Sequence, residues 1–569
     1  MHCSSTYASH IESRVATRLS SISADRIALL GAGKFTRGLL SHIGDDHQFA
    51  GALVTGIIDE SGAEQPRDLQ GIPPLRSASD ADCDAVVVST PMHEPEILRR
   101  SRLGEFGSLP VIGPHTIADL SECRVDTLLL PESAWFGLDL PGLLEQVGSS
   151  FVIASATGLP GFDLVDTAPF WSEHRDTSAD RLVWDDLDLH DVVKGSAACV
   201  LGRANIDPVA DRLTLVQLVD EAIRIYESAV RCFSGADAPS SVVVANGLLH
   251  HQRAVAEAAL RCGARVFALE SSCFLALCRL ESITSFNPMT LASSVQQSVI
   301  ELDEARRGRV TAYLKDRTPH IEVRIDSAPQ PAPGTPDSIR ARLGIDENNR
   351  VLLLLGQVCT DTALMYRAPF VNDIVRLAQI ASEVVSEFPR WTLLIKPHPK
   401  EASGVDPIAG NPYMQGAFDR LRHNPVVQQP HVRLVEPSEY SVYALMRLAD
   451  AGLSINSQSA LEMVAMYAKP VCLVGQAPFG GAGFTRDATS TAEIILALKT
   501  MLESPVLAAH QHDLALRYVH DELFEHLVPT DEPAALNIMQ RGNPTLAVLL
   551  SGKPTACRTS PRATPVSVP

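Results

Sequence analysis

The chain has 569 residues, of which 45% are hydrophobic and 20% are charged, so it has enough apolar surface for several globular domains. Its 67 acidic residues outnumber the 48 basic ones, and the formal charge of −19 argues against a nucleic-acid partner, which would require a basic face. The N-terminus lacks the apolar core of a secretory signal, and no apolar run reaches the ~20 residues of a membrane-spanning helix. We therefore expect a cytoplasmic protein whose scattered cysteines stay reduced and hold no metal.

Residues 1–125 are predicted to form a Rossmann-like module, because short apolar strands alternate there with helical segments. A strand runs into the turn that contains Gly31 and Gly33, and Asp59 ends the next strand. In this context glycine N–H groups can approach a pyrophosphate while the carboxylate binds a ribose, which would make NAD(P) the ligand. Thr36 stands where the third glycine of that fingerprint belongs, so a purely structural turn is the alternative.

Residues 126–345 are predicted to form a second α/β unit, the N-terminal lobe of a two-lobed pair. Segment 213–233 has apolar residues at helical spacing, and a strand–helix–strand unit follows it. The acidic run Asp185–Asp188 is interpreted as a solvated helix entry rather than a metal site, since nothing fixes a coordination geometry. The stretch 327–338, rich in proline and serine, is interpreted as a linker.

Residues 346–545 are predicted to form a third α/β unit, the C-terminal lobe, and residues 546–569 a disordered tail rich in Pro, Ser and Thr. Because ligands of α/β folds bind at the carboxyl ends of parallel strands, the polar residues that follow each predicted strand are candidates for a site. Asp361, which follows the first strand, is a candidate nucleophile or base, and a helix cap is the alternative reading.

Two further loops of this lobe carry groups suited to a phosphate. In one, His398 stands between two prolines that hold the imidazole in place, and Lys396 and Lys400 add positive charge. In the other, Ser454–Ser459 gathers hydroxyl and N–H groups at a predicted helix N-terminus, which suits an anion; simple N-capping is the alternative. Glu462 is interpreted first as a capping-box acid and second as a substrate contact.

Four stretches of the C-terminal half together resemble the capsule polysaccharide synthesis/export family, which includes bacterial Kdo transferases. They are GQVCTD (356–361), KPHPKE (396–401), SINSQSALEMVAMYAKPVCLVG (454–475) and GGAGFT (480–485). The resemblance extends over residues 240–490, and it implies a GT-B fold with a CMP-activated sugar such as CMP-Kdo bound in the C-terminal lobe. One departure is Cys359, which stands where the family pattern leads us to expect proline. The many glycines of the last stretch predict a mobile loop.

The resemblance also assigns roles to residues. Glu270 ends a strand of the middle unit where the family has an acid facing the cleft, so together with Asp361 it implies a retaining double displacement. A capping or salt-bridged surface acid is the alternative for Glu270, while Asn246 and Arg253 are candidate substrate contacts. His398 and its neighbours would meet the nucleotide phosphate. The candidate nucleotide-sugar-binding residues are Gln357, Lys396, His398, Pro399, Lys400, Asn456, Ser457, Ser459 and Glu462.

The chain is therefore predicted to be an α/β protein in which an N-terminal Rossmann-like domain precedes a two-lobed, GT-B-like pair of doubly wound domains. The favoured function is a glycosyltransferase of bacterial capsule or surface polysaccharide biosynthesis that uses a nucleotide sugar and a glycan or glycolipid acceptor, with no further cofactor. Peripheral association with a polysaccharide assembly or export complex at the inner membrane is expected. The alternatives are a CDP-polyol phosphotransferase, a non-catalytic binding protein associated with export, and an oxidoreductase that uses the N-terminal turn.

Overall fold

The computed structural model describes the chain in segments that contain three open sheets and one short hairpin. No helix within these segments is both long enough and apolar enough to cross a lipid bilayer. The described residues are 5–22, 24–30, 48–58, 74–75, 82–88, 97, 109–116, 120–130, 140–146, 149–201, 206–235, 237–271, 277–283, 302–321, 335–358, 361–368, 370–371, 373–398, 417–437, 439–523 and 528–529.

The first sheet lies in the predicted N-terminal module. Its elements are helix α1 (Ser5–Ile22) and strands β1 (Arg26–Leu30), β2 (Gln48–Phe49), β3 (Ala52–Ile58), β4 (Pro74–Leu75), β5 (Ala85–Val88) and β6 (Val111–Ile112). Strands β3 and β5 flank β1 in parallel, β6 extends the sheet beyond β5, and β4 and the antiparallel β2 pair with β3. The predicted nucleotide-binding residues Gly31, Gly33 and Asp59 lie outside the described residues, so the Rossmann-like assignment stays a prediction.

The second sheet forms what we call the middle lobe. Its elements are β7 (Thr127–Leu129), α2 (Leu140–Gln146), β8 (Phe151–Ile153), α3 (Ala168–Glu173), β9 (Val183–Trp184), β10 (Leu187–Asp188), α4 (Leu189–Leu201), α5 (Arg212–Phe233), β11 (Ser241–Ala245), α6 (His250–Arg261), β12 (Arg265–Ser271) and β13 (Leu277–Ile283), with 3-10 turns at Leu120–Cys123, Ala156–Gly158, Phe162–Leu164 and Ala179–Arg181. The strand order is β8-β7-β11-β12-β13, parallel except for β13.

The acidic run of the middle lobe forms a hairpin turn followed by a helix entry. Asp185 and Asp186 have φ values of 51° and 67°, which makes them the two central residues of the turn between β9 and β10. Paired left-handed residues match the twist of a two-residue hairpin. Asp185 and Asp186 therefore form a hairpin turn, with Asp185 paired to Arg261 at 2.7 Å. Asp188 is the predicted helix entry, because it directly precedes α4 and its Oδ1 accepts a hydrogen bond from the Asp191 N–H at 3.0 Å.

The N-terminal module and the middle lobe share one hydrophobic core. Ile11, Val15 and Leu19 on α1 are buried in a cluster that contains side chains of both sheets. Arg14 strengthens the junction, because its guanidinium donates to the carbonyl of Ile153 at 2.7 Å and pairs with Glu122 at 2.8 Å. The division between residues 125 and 126 stays a prediction from the sequence.

The third sheet forms the C-terminal lobe. Its elements are α7 (Glu304–Ile321), α8 (Pro336–Leu343), β14 (Arg350–Leu355), α9 (Thr362–Arg367), α10 (Ile374–Ser386), β15 (Trp391–Lys396), α11 (Ala417–Arg422), a 3-10 turn (Pro425–Gln428), β16 (Val432–Leu434), α12 (Val442–Leu448), β17 (Ala451–Ser454), α13 (Ser459–Tyr467), β18 (Val471–Leu473), β19 (Arg486–Asp487), α14 (Thr491–Glu503), α15 (Ala509–Asp521) and β20 (Val528–Pro529). Strand β20 returns to the middle lobe and pairs with β13.

Runs of apolar residues explain this third sheet. Strands β14 and β15 are buried along almost their whole length, as expected for parallel strands covered by helices on both faces. Helix α10 begins at a cap in which Asp373 accepts a hydrogen bond from the Val375 N–H at 3.0 Å. Helix α8 begins at Pro336, so the predicted linker 327–338 overlaps its first turn. The α/β class and the pair of parallel-rich domains are confirmed.

Candidate functional site

The strand order of the C-terminal lobe defines where a ligand can bind. The described sheet runs β16-β15-β14-β17-β18-β19 with all strands parallel, which in chain order is 3-2-1-4-5-6. The order reverses between β14 and β17, and sheets of this kind bind ligands in the crevice at the carboxyl ends of these strands. Segments 356–361, 397–398 and 455–459 follow the carboxyl ends of β14, β15 and β17. We refer to this place as the switch-point crevice.

Gly356 locks two of these loops together. Its N–H donates to the carbonyl of Lys396 at 2.8 Å. A Cβ at this position would lie 2.5 Å from that carbonyl oxygen, 2.7 Å from the Cα of Pro397 and 2.9 Å from the backbone nitrogen of His398. Glycine therefore permits a backbone approach that no other residue allows, and the contact fixes the position of the half-buried His398.

Gln357 orients the predicted nucleophile. Its Nε2 donates to Oδ2 of Asp361 at 2.8 Å, and Asp361 is half-buried at the start of α9. The Asp361 N–H donates to the carbonyl of Val358 at 3.0 Å, which holds the backbone in a turn. Only 9% of Gln357 is exposed, and its buried Oε1 has no hydrogen-bond partner among the described residues. The Gln357 side chain thus holds the carboxylate of Asp361 through Nε2, while its Oε1 is an acceptor that no described residue uses.

The loop after β17 is a compact turn that opens a helix. The N–H of Ser457 donates to Oγ of Ser454 at 3.1 Å, and the N–H of Ser459 donates to Oγ of Ser457 at 3.3 Å. Asn456 is buried beside them. The serines therefore do cap local N–H groups, and the turn lies at the N-terminus of α13, where the helix dipole favours an anion.

Lys396 does not point into this crevice. Its side chain is only 3% exposed, and its ammonium donates to the carbonyls of Pro397, at 3.2 Å, and Pro437. Burial lowers the pKa of Lys396 to about 8. The ammonium that was predicted to contact a phosphate is therefore buried and bonded to two protein carbonyls, in keeping with its place at the end of a fully buried strand.

Two other predicted features are buried. Glu462 lies in the first turn of α13, where its N–H donates to the carbonyl of Gln458 at 3.2 Å, and its role as a cap or a substrate contact stays a prediction. In the glycine-rich stretch, Phe479 and Phe484 are buried and stack on each other with ring centroids 6.2 Å apart. Both rings also meet Tyr518 of α15. The core thus anchors a stretch that the sequence analysis described as a mobile loop.

Helix α9 connects the crevice to the middle lobe, a contact that the sequence analysis missed. The hydroxyl of Tyr366 donates to the carbonyls of Asp191 at 3.0 Å and Leu248 at 3.3 Å. Its ring lies under the ammonium of Lys194, 4.4 Å from the centroid. Gly195 leaves space for the Tyr366 ring, since a Cβ at position 195 would lie 3.2 Å from that ring. Burial raises the pKa of Tyr366 above its ordinary value.

The remaining predicted residues of the middle lobe are only partly described. Glu270 lies next to the carboxyl end of β12, where its backbone pairs with Arg279, and its side chain is outside the described part. Arg253 is buried and pairs with Asp191 at 3.0 Å and with Glu257 at 2.9 Å, so it serves a charge network at the lobe boundary. Pro399 and Lys400 are outside the described residues. Within those residues, no cluster of His, Cys, Asp and Glu could hold a metal ion.

These observations define an α/β protein with a phosphate-compatible crevice in its C-terminal lobe, next to a middle lobe. Residues 335–514, about a third of the chain, match the family described as "Capsule polysaccharide biosynthesis protein". This segment contains the crevice, and the family it matches is the one that the sequence resemblance predicted. No curated protein matches the chain.

Several solved structures are weakly similar to the chain. A β-Kdo 2,4 transferase, KpsC of Thermosulfurimonas dismutans, is 16% identical and has a TM-score of 0.33 over 49% of this chain and 79% of its own. The β-Kdo 2,7 transferase of the same protein is 13% identical, with a TM-score of 0.30 over 53% of this chain and 85% of its own. The calicheamicin glycosyltransferase CalG4 is 13% identical, with a TM-score of 0.26 over 77% of this chain and 100% of its own. Likenesses this weak carry no information on substrate.

Proposed function

We propose that this chain is a glycosyltransferase of bacterial capsule or surface polysaccharide biosynthesis that takes its sugar from a nucleotide-activated donor, with CMP-Kdo as the first donor to test. The observation that carries the proposal is the convergence of Gln357, His398 and Ser457 beyond the carboxyl ends of three neighbouring parallel strands. The family match of residues 335–514 supports the same assignment.

The proposed reaction is a double displacement. A carboxylate oxygen of Asp361 attacks the anomeric carbon, the bond from that carbon to the phosphate oxygen breaks, and the nucleotide leaves with the electron pair. The acceptor hydroxyl then attacks the same carbon, the ester to Asp361 breaks, and the carboxylate of Glu270 takes the hydroxyl proton. Gln357 would hold Asp361 in one orientation through its 2.8 Å hydrogen bond. His398 and the turn at Ser457 would stabilise the charge on the departing phosphate.

A thermal-shift titration with CMP, CDP, UDP and NAD tests the donor site, because a ligand that binds only the folded state raises the melting temperature. We expect CMP to give the largest shift. A larger shift with UDP or CDP would change the donor and keep the enzyme class. A shift with NAD alone would contradict the proposal by moving the ligand site to the N-terminal module, and no shift with any nucleotide would contradict a nucleotide-sugar enzyme.

Two variants separate binding from chemistry. His398→Ala should weaken nucleotide binding by roughly 10-fold or more, since it removes a hydrogen bond to a charged group. His423→Ala is the matched control, because His423 is an exposed histidine of the same lobe. Asp361→Ala should abolish sugar transfer and leave nucleotide affinity nearly unchanged. Normal turnover in Asp361→Ala would refute the mechanism while leaving the donor site intact, and Glu270→Gln tests the second carboxylate in the same assay.

The proposal includes a cytoplasmic location, a glycan or glycolipid acceptor, and peripheral attachment to the polysaccharide assembly or export machinery at the inner membrane. Cell fractionation with and without a high-salt wash tests the attachment, since a peripheral protein is released by salt. Recovery of the protein outside the cytoplasmic and inner-membrane fractions would contradict this location.

A further inference from the structure

Arg367, the last residue of α9, is a buried cation to which no described residue supplies a counter-charge. Only 8% of the residue is exposed. Its guanidinium makes no hydrogen bond or ion pair with any described residue, and its Nε is fully enclosed. Burying an unpaired charge is costly, and Arg is rarely buried unless it is paired. A buried arginine of this kind at a candidate site suggests that the ligand itself supplies the negative charge that pairs with the guanidinium.

The backbone of Arg367 is fixed beside the turn that follows β17. Its carbonyl accepts a hydrogen bond from the N–H of Gln476 at 2.6 Å. A Cβ on Gly475 would lie 3.1 Å from this carbonyl and equally close to the carbonyl of Ile455. Ile455 opens the turn that leads to Ser457 and α13. Arg367 therefore starts within side-chain reach of the switch-point crevice.

Helical geometry gives the direction of the side chain. Leu364 and Ala368 are buried in the core of the C-terminal lobe, whereas Tyr366 contacts the middle lobe. At 100° per residue, Arg367 lies on the flank between these two faces. Its side chain therefore leaves the helix on the flank nearest the boundary between the lobes, on the short helix that directly follows Asp361.

We propose that Arg367 binds a phosphate of the nucleotide, supplying in this crevice the fixed positive charge that the buried Lys396 does not supply. This inference rests on the proposed function. A planar guanidinium can make two parallel hydrogen bonds to a phosphate, which suits a single fixed contact. Gln458, the residue before α13, has a second such group near the crevice. Its buried Nε2 has no hydrogen-bond partner among the described residues.

The assignment makes two opposite predictions for one substitution. Without a ligand, Arg367→Gln should melt at the same temperature as the wild type or higher, because it removes a desolvated and uncompensated charge. With the nucleotide, Arg367→Gln should bind roughly 10- to 100-fold more weakly, while Arg367→Lys should retain part of the affinity. Arg376→Gln, which changes an exposed arginine on α10, should alter neither property.

The experiment compares CMP with cytidine by calorimetry on wild type, Arg367→Gln, Arg367→Lys and Arg376→Gln. We expect wild type to bind CMP more tightly than cytidine, and Arg367→Gln to lose most of this preference while its affinity for cytidine stays unchanged. If wild type prefers another nucleotide, that nucleotide and its nucleoside replace the pair. Equal CMP affinity in wild type and Arg367→Gln would overturn this inference alone. A ligand-free Arg367→Gln protein that melts well below wild type would also overturn it, because the arginine would then be structural. Failure of wild type to bind any nucleotide would reject the proposed function, and the inference with it.

Discussion

The substitution Gly356→Ala tests how the crevice is assembled. The added Cβ would meet three backbone atoms at 2.5, 2.7 and 2.9 Å, and backbone cannot rotate away as a flexible side chain can. Overpacking of this kind costs about 1–3 kcal/mol, which corresponds to a fall in melting temperature of roughly 2–12 °C for a lobe of this size. Because the strain falls on Pro397 and His398, we also expect weaker CMP binding. Thermal unfolding and calorimetry with CMP measure the two effects.

Gly308→Ala is the control for this experiment. Gly308 lies within α7, and a Cβ there would have no atom within 4 Å. Alanine in a helix interior is favoured over glycine by about 1 kcal/mol, so this variant should be slightly more stable and bind CMP normally. An unchanged melting temperature and unchanged CMP affinity in Gly356→Ala would refute the close backbone contact on which this account of the crevice depends.

Three further predictions follow from burial. Burial lowers the pKa of Lys396 from 10.5 to about 8, so between pH 8 and 10.5 the folded state binds fewer protons than the unfolded state. The unfolding free energy, measured relative to Lys396→Met, should therefore rise as the pH increases through this window. A difference between the two proteins that does not change with pH would contradict this prediction. Tyr366→Phe leaves the carbonyl of Leu248 without its hydroxyl donor and should lower the unfolding free energy by about 1–3 kcal/mol, whereas unchanged denaturation would show that the contact is unimportant. A hydrogen bond to a neighbouring thiol and burial raise the pKa of Cys232, so iodoacetamide mapped by mass spectrometry should label the less buried Cys262 before Cys232; equal labelling of the two would disprove this order.

The sequence predicted the C-terminal sheet well because its signals are local. Uninterrupted apolar runs mark β14 and β15, and polar residues follow each run directly. The segment around Ser457 was predicted as a helix start, and α13 begins at Ser459. Residues at the ends of parallel strands come together whenever the strands pair, so the neighbourhood of Gln357 and His398 required no long-range information.

Other features depend on contacts that a local pattern does not contain. Tyr366 and Arg367 lie in a six-residue helix, and their contacts depend on the position of this helix between two lobes. The hairpin at Asp185 uses paired left-handed residues without the Asn-Gly or Asp-Gly signal that identifies such turns. For Lys396, the uninterrupted apolar strand that it ends could have predicted its burial. A side chain at the end of such a strand is more often surrounded by protein than in contact with a ligand.

A single short connection, residues 356–367, contains or contacts several parts of the proposed site. It starts at the glycine that holds the His398 loop and ends at the carbonyl bonded to Gln476. Between these points it carries Asp361, and its Tyr366 is hydrogen-bonded to the middle lobe. Both backbone attachments of this connection lie in the C-terminal lobe, whereas the Tyr366 hydroxyl reaches the middle lobe from the same short helix that follows Asp361. Because the lobe contact and the proposed nucleophile are only five residues apart in the chain, we expect a substitution at the lobe contact to affect turnover more than nucleotide affinity.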